Sequence, residues 1–253
     1  MNEVKSKFMG VLILAVVALN LILGANAWKS SLKLKQITVE GNRLVATNEI
    51  IQLTQTQPGA LLYNIDLTAV QRNVSSHYYI KDAVAERNLP STLSITVTER
   101  VPLAMINRPD PLFIDEDGVI LPNAYAGRAF DLPLISGITG SDQLTAGTVA
   151  SQPETVEALQ LLSVLKVVNR PLFHNISEIV LRGGGDIVLY SAEGGVPIIF
   201  GRGEISAKIA RLEAFWNTVV RTRGTQDLQY VDLRFEDQII ARWNPVPHAG
   251  GGS

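Results

Sequence analysis

Residues 8–28, from Phe8 to Trp28, form an uncharged run bounded by Lys7 and Lys29. At about 1.5 Å rise per residue, roughly 20 such residues span the hydrocarbon core of a bilayer. Trp28 stands where an interfacial aromatic belongs. Asn20 and Asn26 are a modest polar cost in a segment built from Val, Leu, Ile and Ala. The run predicts one membrane-spanning helix behind a short tail, residues 1–7. A cleaved signal peptide competes with this reading. Lys5 and Lys7 make a positive start, and Ala25-Asn26-Ala27 fits a small-x-small cleavage site. The apolar run is longer than a usual signal core, which favours the anchor. Charge does not orient the span. Lys5, Lys7 and the terminal amine on one side face Lys29, Lys33 and Lys35 on the other, near balance or slightly the wrong way round.

The chain of 253 residues, less this anchor, suits one large domain or two small ones. A net charge of −2 makes no electrostatic case for nucleic acid. Cysteine is absent, which excludes a disulfide framework and thiolate metal sites.

Lys33 to Asn42 alternates Leu34, Ile37 and Val39 with polar neighbours and ends in a Gly41-Asn42 turn, a short strand. Thr47 offers a cap to a helix with Ile50, Ile51 and Leu53 on its buried side, stopped by Pro58-Gly59. Asp66 caps a second helix carrying Leu67, Val70 and Val74. Two strands follow, 80–88 and one through Leu93, Ile95 and Val97, with Pro90-Ser91 between them. After Val101-Pro102 the pattern changes. LFIDEDGVIL (112–121) reads as a hairpin turning at Gly118. DLPLISG (131–137) is a short extended piece. Pro153 opens a helix whose apolar residues Val156, Leu159, Leu161, Leu162, Leu165, Val167 and Val168 make it largely buried. Strands are expected at 176–181, 187–191 and 198–201. An amphipathic helix covers 204–221, with Ile205, Ile209, Leu212 and Trp216 inward, Arg211 and Glu213 outward, and Glu204 favouring the dipole at its start. Strands 228–235 and 238–243 close the chain before Pro245 and Pro247.

ITVEGNRLVATNEI (37–50) resembles the opening of a POTRA domain. SITVTERVPLAMI (94–106) resembles the end of the POTRA domain in the bacterial division protein family FtsQ, also called DivIB. FIDEDGVIL, LPLISG and YVDLRFEDQIIARW look like successive landmarks of that family's β domain, departing from it at the Glu236-Asp237-Gln238 turn. The resemblance covers nearly the whole chain. It implies an α+β fold: a transmembrane helix at 8–28, a POTRA domain (β-α-α-β-β) at 33–101, a mixed α/β domain with a mainly antiparallel sheet at 102–245, and a flexible tail at 246–253. It also implies a cytoplasmic membrane protein of the division septum, with its N-terminus inside and its large part outside.

No catalytic constellation stands out. Ser163-x-x-Lys166 lies mid-helix without companion motifs, and Ser30-x-x-Lys33 matches equally well by accident. Asp115, Glu116 and Asp117 lack the further oxygen ligands of a calcium loop and read as a solvated turn. His77, His174 and His248 show no metal-ligand spacing; His77, beside Tyr78 and Tyr79, is expected to cap a helix or line a surface. Arg182-Gly183-Gly184-Gly185-Asp186 lacks the Lys-Ser/Thr of a phosphate loop. No enzyme activity, cofactor, metal or small-molecule substrate is expected.

The last strands hold more promise. In 228–235 the period of two puts Tyr230, Asp232 and Arg234 on one side and Val231, Leu233 and Phe235 on the other, with Val231 and Leu233 as core. Proline ends the final strand. At a sheet edge that strand would offer open backbone groups to a partner strand. Arg234, Phe235 and Trp243 would supply specificity, unless the two aromatics are ordinary core residues. The family resemblance implies Arg234, Phe235 and Trp243, with Tyr230 nearby, as the site for small single-span partners of the FtsB/FtsL type, and the POTRA edges as a second docking surface. Charge reversal at Arg234 is then expected to break partner binding with the fold intact. An accessory to an outer-membrane barrel, and an envelope enzyme with a POTRA-like module, are the alternatives.

Overall fold

The uncharged run lies in a continuous helix, α1 (Asn2–Ser31), in a computed structural model that describes residues 2–124 and 131–245. The window long and apolar enough to cross a membrane is Leu12–Ser31, and none of it is buried in protein. The helix outruns the predicted span at both ends, because lysine and serine continue a hydrogen-bond ladder once it exists. The expected tail at 246–253, with His248, lies outside the described residues. By contacts the chain divides into two units, Met1–Arg100 and Val101–Ser253.

After α1, the first unit runs β1 (Gln36–Glu40), α2 (Thr47–Leu53), α3 (Leu67–Ser75), β2 (Ile80–Asn88) and β3 (Thr92–Glu99). This is the β-α-α-β-β order. The sheet order is β1-β3-β2, with β1 parallel and β2 antiparallel to β3. Ile50, Val70 and Val74 from the helices and Leu93, Ile95 and Val97 from β3 are buried. Asp66 caps α3 as expected, accepting from the Thr68 and Ala69 N–H groups. Thr47 does not cap α2. Ala46 holds that position, and the Thr47 hydroxyl accepts from Asn42 Nδ2 instead. Nor does Pro58-Gly59 stop α2, which ends at Leu53 before Gln55 turns left-handed at φ 52°. His77 Nδ1 accepts from the Tyr79 N–H, which leaves Nε2 to donate to Glu49 at 3.1 Å.

The two halves of the POTRA-like motif meet here. Gly41 has φ 87°, and a Cβ on it would lie 2.1 Å from the Val97 carbonyl oxygen. One turn further on, the Glu99 carboxylate accepts from the N–H groups of Leu44 and Val45, each at 2.8 Å. The turn after β1 is thus clamped to the last strand twice. Glu99→Ala strands two donors and should cost about 1–3 kcal/mol. Gly41→Ala, strained at positive φ and blocked by backbone, should cost more. Thermal unfolding of the two variants in parallel checks the order, with Gly41→Ala melting lower.

The second unit contains β4 (Pro102–Ile106), β5 (Leu112–Asp115), β6 (Ile120–Leu121), β7 (Leu134–Ser136), α4 (Pro153–Val168), α5 (Arg170–His174), β8 (Ile176–Leu181), β9 (Ile187–Ser191) and β10 (Pro197–Gly201). It closes with α6 (Ile205–Phe215), a π turn at Trp216–Val220, α7 (Arg221–Arg223), β11 (Leu228–Asp232) and β12 (Ile240–Trp243). Nine strands form one sheet in the order β12-β11-β10-β9-β8-β7-β4-β5-β6. The pairs β4–β7, β7–β8 and β10–β11 are parallel and the rest antiparallel. Leu159, Leu162 and Leu165 of α4 and Ile209 and Leu212 of α6 join Ile179, Leu189, Ile198 and Val231 of the sheet in one core.

Five expectations change. Val156, Val167 and Val168 are exposed, because only the α4 face that meets the sheet is covered. The helix predicted at 204–221 begins at Ile205 and is broken by the π turn, through which Phe215 and Trp216 both pack on the core. Arg211 and Glu213 are half-buried rather than outward. The final strands are shorter than 228–235 and 238–243, for reasons given below. At the hairpin of 112–121, Asp115 is buried rather than solvated, and its carboxylate accepts from the Asp117 and Val119 N–H groups.

The two ends of the long sheet differ. At β6, a following segment closes the edge: Ile120 N–H donates to Thr148 O, Gly147 N–H to Ile120 O and Ala150 N–H to Gly118 O. At the other end β12 has β11 as its one strand neighbour among the described residues.

Candidate functional site

The open edge is built by the chain from β11 to β12. Their register pairs Asp232 with Ile240, Val231 with Ala241, Tyr230 with Arg242 and Leu228 with Trp243. Beyond Trp243, the Asn244 N–H donates to Asp227 O. Backbone groups alternate along an antiparallel strand, so those of Ile240, Arg242 and Asn244 face β11. Those of Ala241 and Trp243 face away.

Side chains alternate too. Ala241 and Trp243 pack against the core, and the Arg223 guanidinium lies 3.8 Å from the centre of the Trp243 indole. Ile240 and Arg242 are exposed on the other face. Val231 and Leu233 are fully buried, as their period predicts.

Leu233 to Ile239 leave the ladder. Asp232 is only 5% exposed. Its carboxylate accepts from the Arg234 backbone N–H at 3.0 Å and from Arg234 Nε and Nη2, the latter at 2.8 Å. This local loop turns Arg234 back on Asp232 and ends the strand. Arg234 Nη1 reaches Asp186 at 3.3 Å, in the turn before β9. The Arg234 stem lies over Gly201, where a Cβ would meet Cγ at 2.7 Å and where φ is 69°. Phe235 sits at the turn, 43% exposed, its carbonyl accepting from Arg211 Nη1 at 2.9 Å. Asp237 turns left-handed at φ 57° before the chain returns as β12.

Burial pushes the Asp232 carboxyl up, but its hydrogen bonds and proximity to Arg234 outweigh this and hold it below the usual carboxylate range. Asp232 in turn raises Arg234. Beneath them lies Lys208, 3% exposed, whose Nζ donates to the carbonyls of Phe200 and Arg202 at 3.0 and 2.6 Å. Burial pulls this lysine below its ordinary value, with Glu204 opposing.

The four predicted residues therefore do not form one cluster. Arg234 and Phe235 stand at the turn end of the edge strand. Trp243 lies at its far end, about 10 Å along the strand from Ile240 at the usual rise. Tyr230 is half-buried on the strand behind. Phe235 is not a core aromatic, whereas Trp243 in part is. Arg234 is already bound to two carboxylates, so the expectation that its charge reversal leaves the fold intact does not fit these contacts. From the sequence, Asp232, Asp186, Lys208, Arg211 and Arg223 had no expected part in this edge. Of these, only the Asp232–Arg234 spacing of two was a readable signal. Among the described residues, no group of three or more His, Asp or Glu could hold a metal.

Asp232→Asn should lower the stability of the second unit by about 1–3 kcal/mol at neutral pH. The folded pKa of Asp232 is depressed, so its contribution is present above the unfolded value of about 4 and lost as pH falls through the lower folded value. Denaturant unfolding followed by tryptophan fluorescence should show the gap to wild type in full at pH 7 and closing below about pH 4.

Two family models match in tandem: "POTRA domain, FtsQ-type" over residues 32–100 and "Cell division protein FtsQ/DivIB, C-terminal" over residues 104–234. The second match ends at Arg234, so Phe235 and β12 lie beyond it. The chain is 32% identical over 211 residues to the cell division protein FtsQ of Geobacter sp. (strain M21), covering 83% of this chain and 76% of that protein. It is 31% identical over 253 residues to the cell division protein FtsQ of Rhodothermus marinus, covering 97% and 90%. With the cell division protein FtsQ of Syntrophotalea carbinolica it shares 30% over 222 residues, covering 87% and 77%.

Proposed function

Because the chain belongs to the FtsQ/DivIB family of cell division proteins, we propose that it is a non-enzymatic scaffold of the division machinery that recruits another envelope protein by strand addition. One observation carries this reading: β12 is an edge strand, with the backbone groups of Ala241 and Trp243 turned outward. A partner strand laid along β12 would gain main-chain hydrogen bonds. Phe235 and the exposed face of Ile240 and Arg242 would read its side chains. Two Arg234 N–H groups beyond those bound to Asp232 and Asp186 are left for a partner carboxylate. Tyr230 and Trp243 set the edge from behind.

The partners are small single-span division proteins of the FtsB/FtsL type, and other division proteins use the free edges of β1 or β2. The helix α1 anchors the chain in the cytoplasmic membrane at the septum, with the N-terminus inside and both folded units outside. The scaffold links early- and late-arriving division proteins. An accessory to an outer-membrane barrel is less well supported, since the second unit has strands of two to six residues, where a barrel needs about ten.

Proline at an edge position whose N–H points outward is tolerated by the sheet it belongs to and refused by an added strand. Ala241→Pro should therefore lower partner affinity about tenfold or more while the melting temperature moves little. Phe235→Asp should weaken binding by a similar factor or more. Pull-down of tagged FtsB- and FtsL-type partners from membranes reads both. Wild-type capture by a folded Ala241→Pro variant would exclude strand addition at β12.

A further inference from the structure

The helix α1 ends beside the segment 59–64, and the two are stitched together. Leu62 N–H donates to Leu32 O, Leu34 N–H to Ala60 O, and Gly59 N–H to Leu34 O. Lys33 and Leu61 form an antiparallel bridge. Leu34 is buried between Lys33 and Lys35, both exposed, so the two lysines point the same outward way. Tyr63 projects from this segment, 37% exposed. Lys29 Nζ lies 5.8 Å and the Arg87 guanidinium 5.6 Å from the centre of its ring. Arg87 is fixed there by its bond to Leu62 O at 2.9 Å. Leu61 and Trp28 are also exposed, at 37% and 52%.

Four cations and three large apolar side chains thus share the end of the candidate span. Among the described residues, no carboxylate forms an ion pair with Lys29, Lys33 or Lys35. The acid nearest in sequence to the 59–64 segment, Asp66, is taken up in capping α3. These lysines are also the ones that spoil the charge asymmetry around the span. With the N-terminus inside, this is the flank that should carry fewer positive charges, and its three exposed lysines are available to an anionic surface.

We propose that this end of the first unit is a docking surface for anionic phospholipid headgroups. Lys29, Lys33, Lys35 and Arg87 meet the phosphates, while Trp28, Leu61 and Tyr63 enter the interfacial layer. The surface seats the POTRA-type unit on the bilayer instead of letting it swing from the anchor. The proposal rests on α1 crossing the membrane and is independent of the edge at β12.

The chain has no cysteine, so Leu61→Cys gives a single attachment point for a spin label. The full-length protein is placed in lipid nanodiscs of phosphatidylcholine, and of phosphatidylcholine mixed with phosphatidylglycerol. Collision with oxygen, which concentrates in lipid, is compared with collision with a water-soluble nickel chelate. The label should be more oxygen-accessible in the anionic discs. Each cation beside an anionic surface gives about a fivefold preference for it, so combining Lys29→Gln, Lys33→Gln and Lys35→Gln should abolish the difference. A label at Tyr78→Cys, exposed just before β2 and at the opposite end of the sheet from Lys35, should not respond. Equal accessibility in both discs would overturn the proposal. So would a response to inorganic phosphate added to the neutral discs, which would mark a phosphate site and not a lipid surface. Failure of the chain to enter discs of either kind would remove the anchor and this surface together.

Discussion

Every backbone N–H and C=O must find a partner, and a sheet that does not close leaves two rows of them at its edges. This protein treats its two rows differently. The segment through Gly147, Thr148 and Ala150 hydrogen-bonds to the β6 side. On the β12 side, α6 and α7 send arginines to the turn and the strand: Arg211 to the Phe235 carbonyl and Arg223 to the Trp243 ring. These contacts hold β12 from within without occupying its outward backbone groups.

Order at such an edge matters because association must overcome the entropy of immobilising the binding residues. Arg234 is already immobilised by Asp232 and Asp186 and seated on Gly201. The carboxylate of Asp232 lies between Arg234 and the buried Lys208, both of which lower its pKa. Lys208 has little access to water and satisfies its charge with two carbonyls at the end of β10. Charged groups buried this way stabilise little in net terms, but they resist any rearrangement that would strand one of them. Under the proposed strand addition, that suits a surface that must keep one shape until a partner strand arrives.

Much of the fold was legible. The strand at 80–88 and the cap at Asp66 follow from alternation and local hydrogen bonding, which need no distant neighbour. Legibility failed where a residue's partner is remote. Thr47 reads as a cap, yet Asn42 takes its hydroxyl. Val167 and Val168 read as core, yet the sheet does not extend beneath them. The strand predicted to continue to Phe235 stops at Asp232, because the Arg234 side chain folds back on the preceding carboxylate. Lys208 looks like a solvated helix residue and is among the most buried charges in the unit. At the candidate site, Phe235 and Trp243 could be named but not told apart, since exposure depends on which helices cover them.

The amino-acid sequence alone determined the long apolar helix, most of the succession of helices and strands (β4 and α5 excepted), and the alternation that buries Val231 and Leu233. Each of these is a matter of local period, charge and chain length. Only the tertiary structure decided that the last strand lies at an open edge, that Arg234 is held between two acids, and that Lys29 and Arg87 flank Tyr63. Sheet order does not follow chain order here, with β7 lying between β4 and β8. Which strands become neighbours, and which is left with a free side, depends on how all the apolar faces are buried together, a property no single stretch of sequence carries.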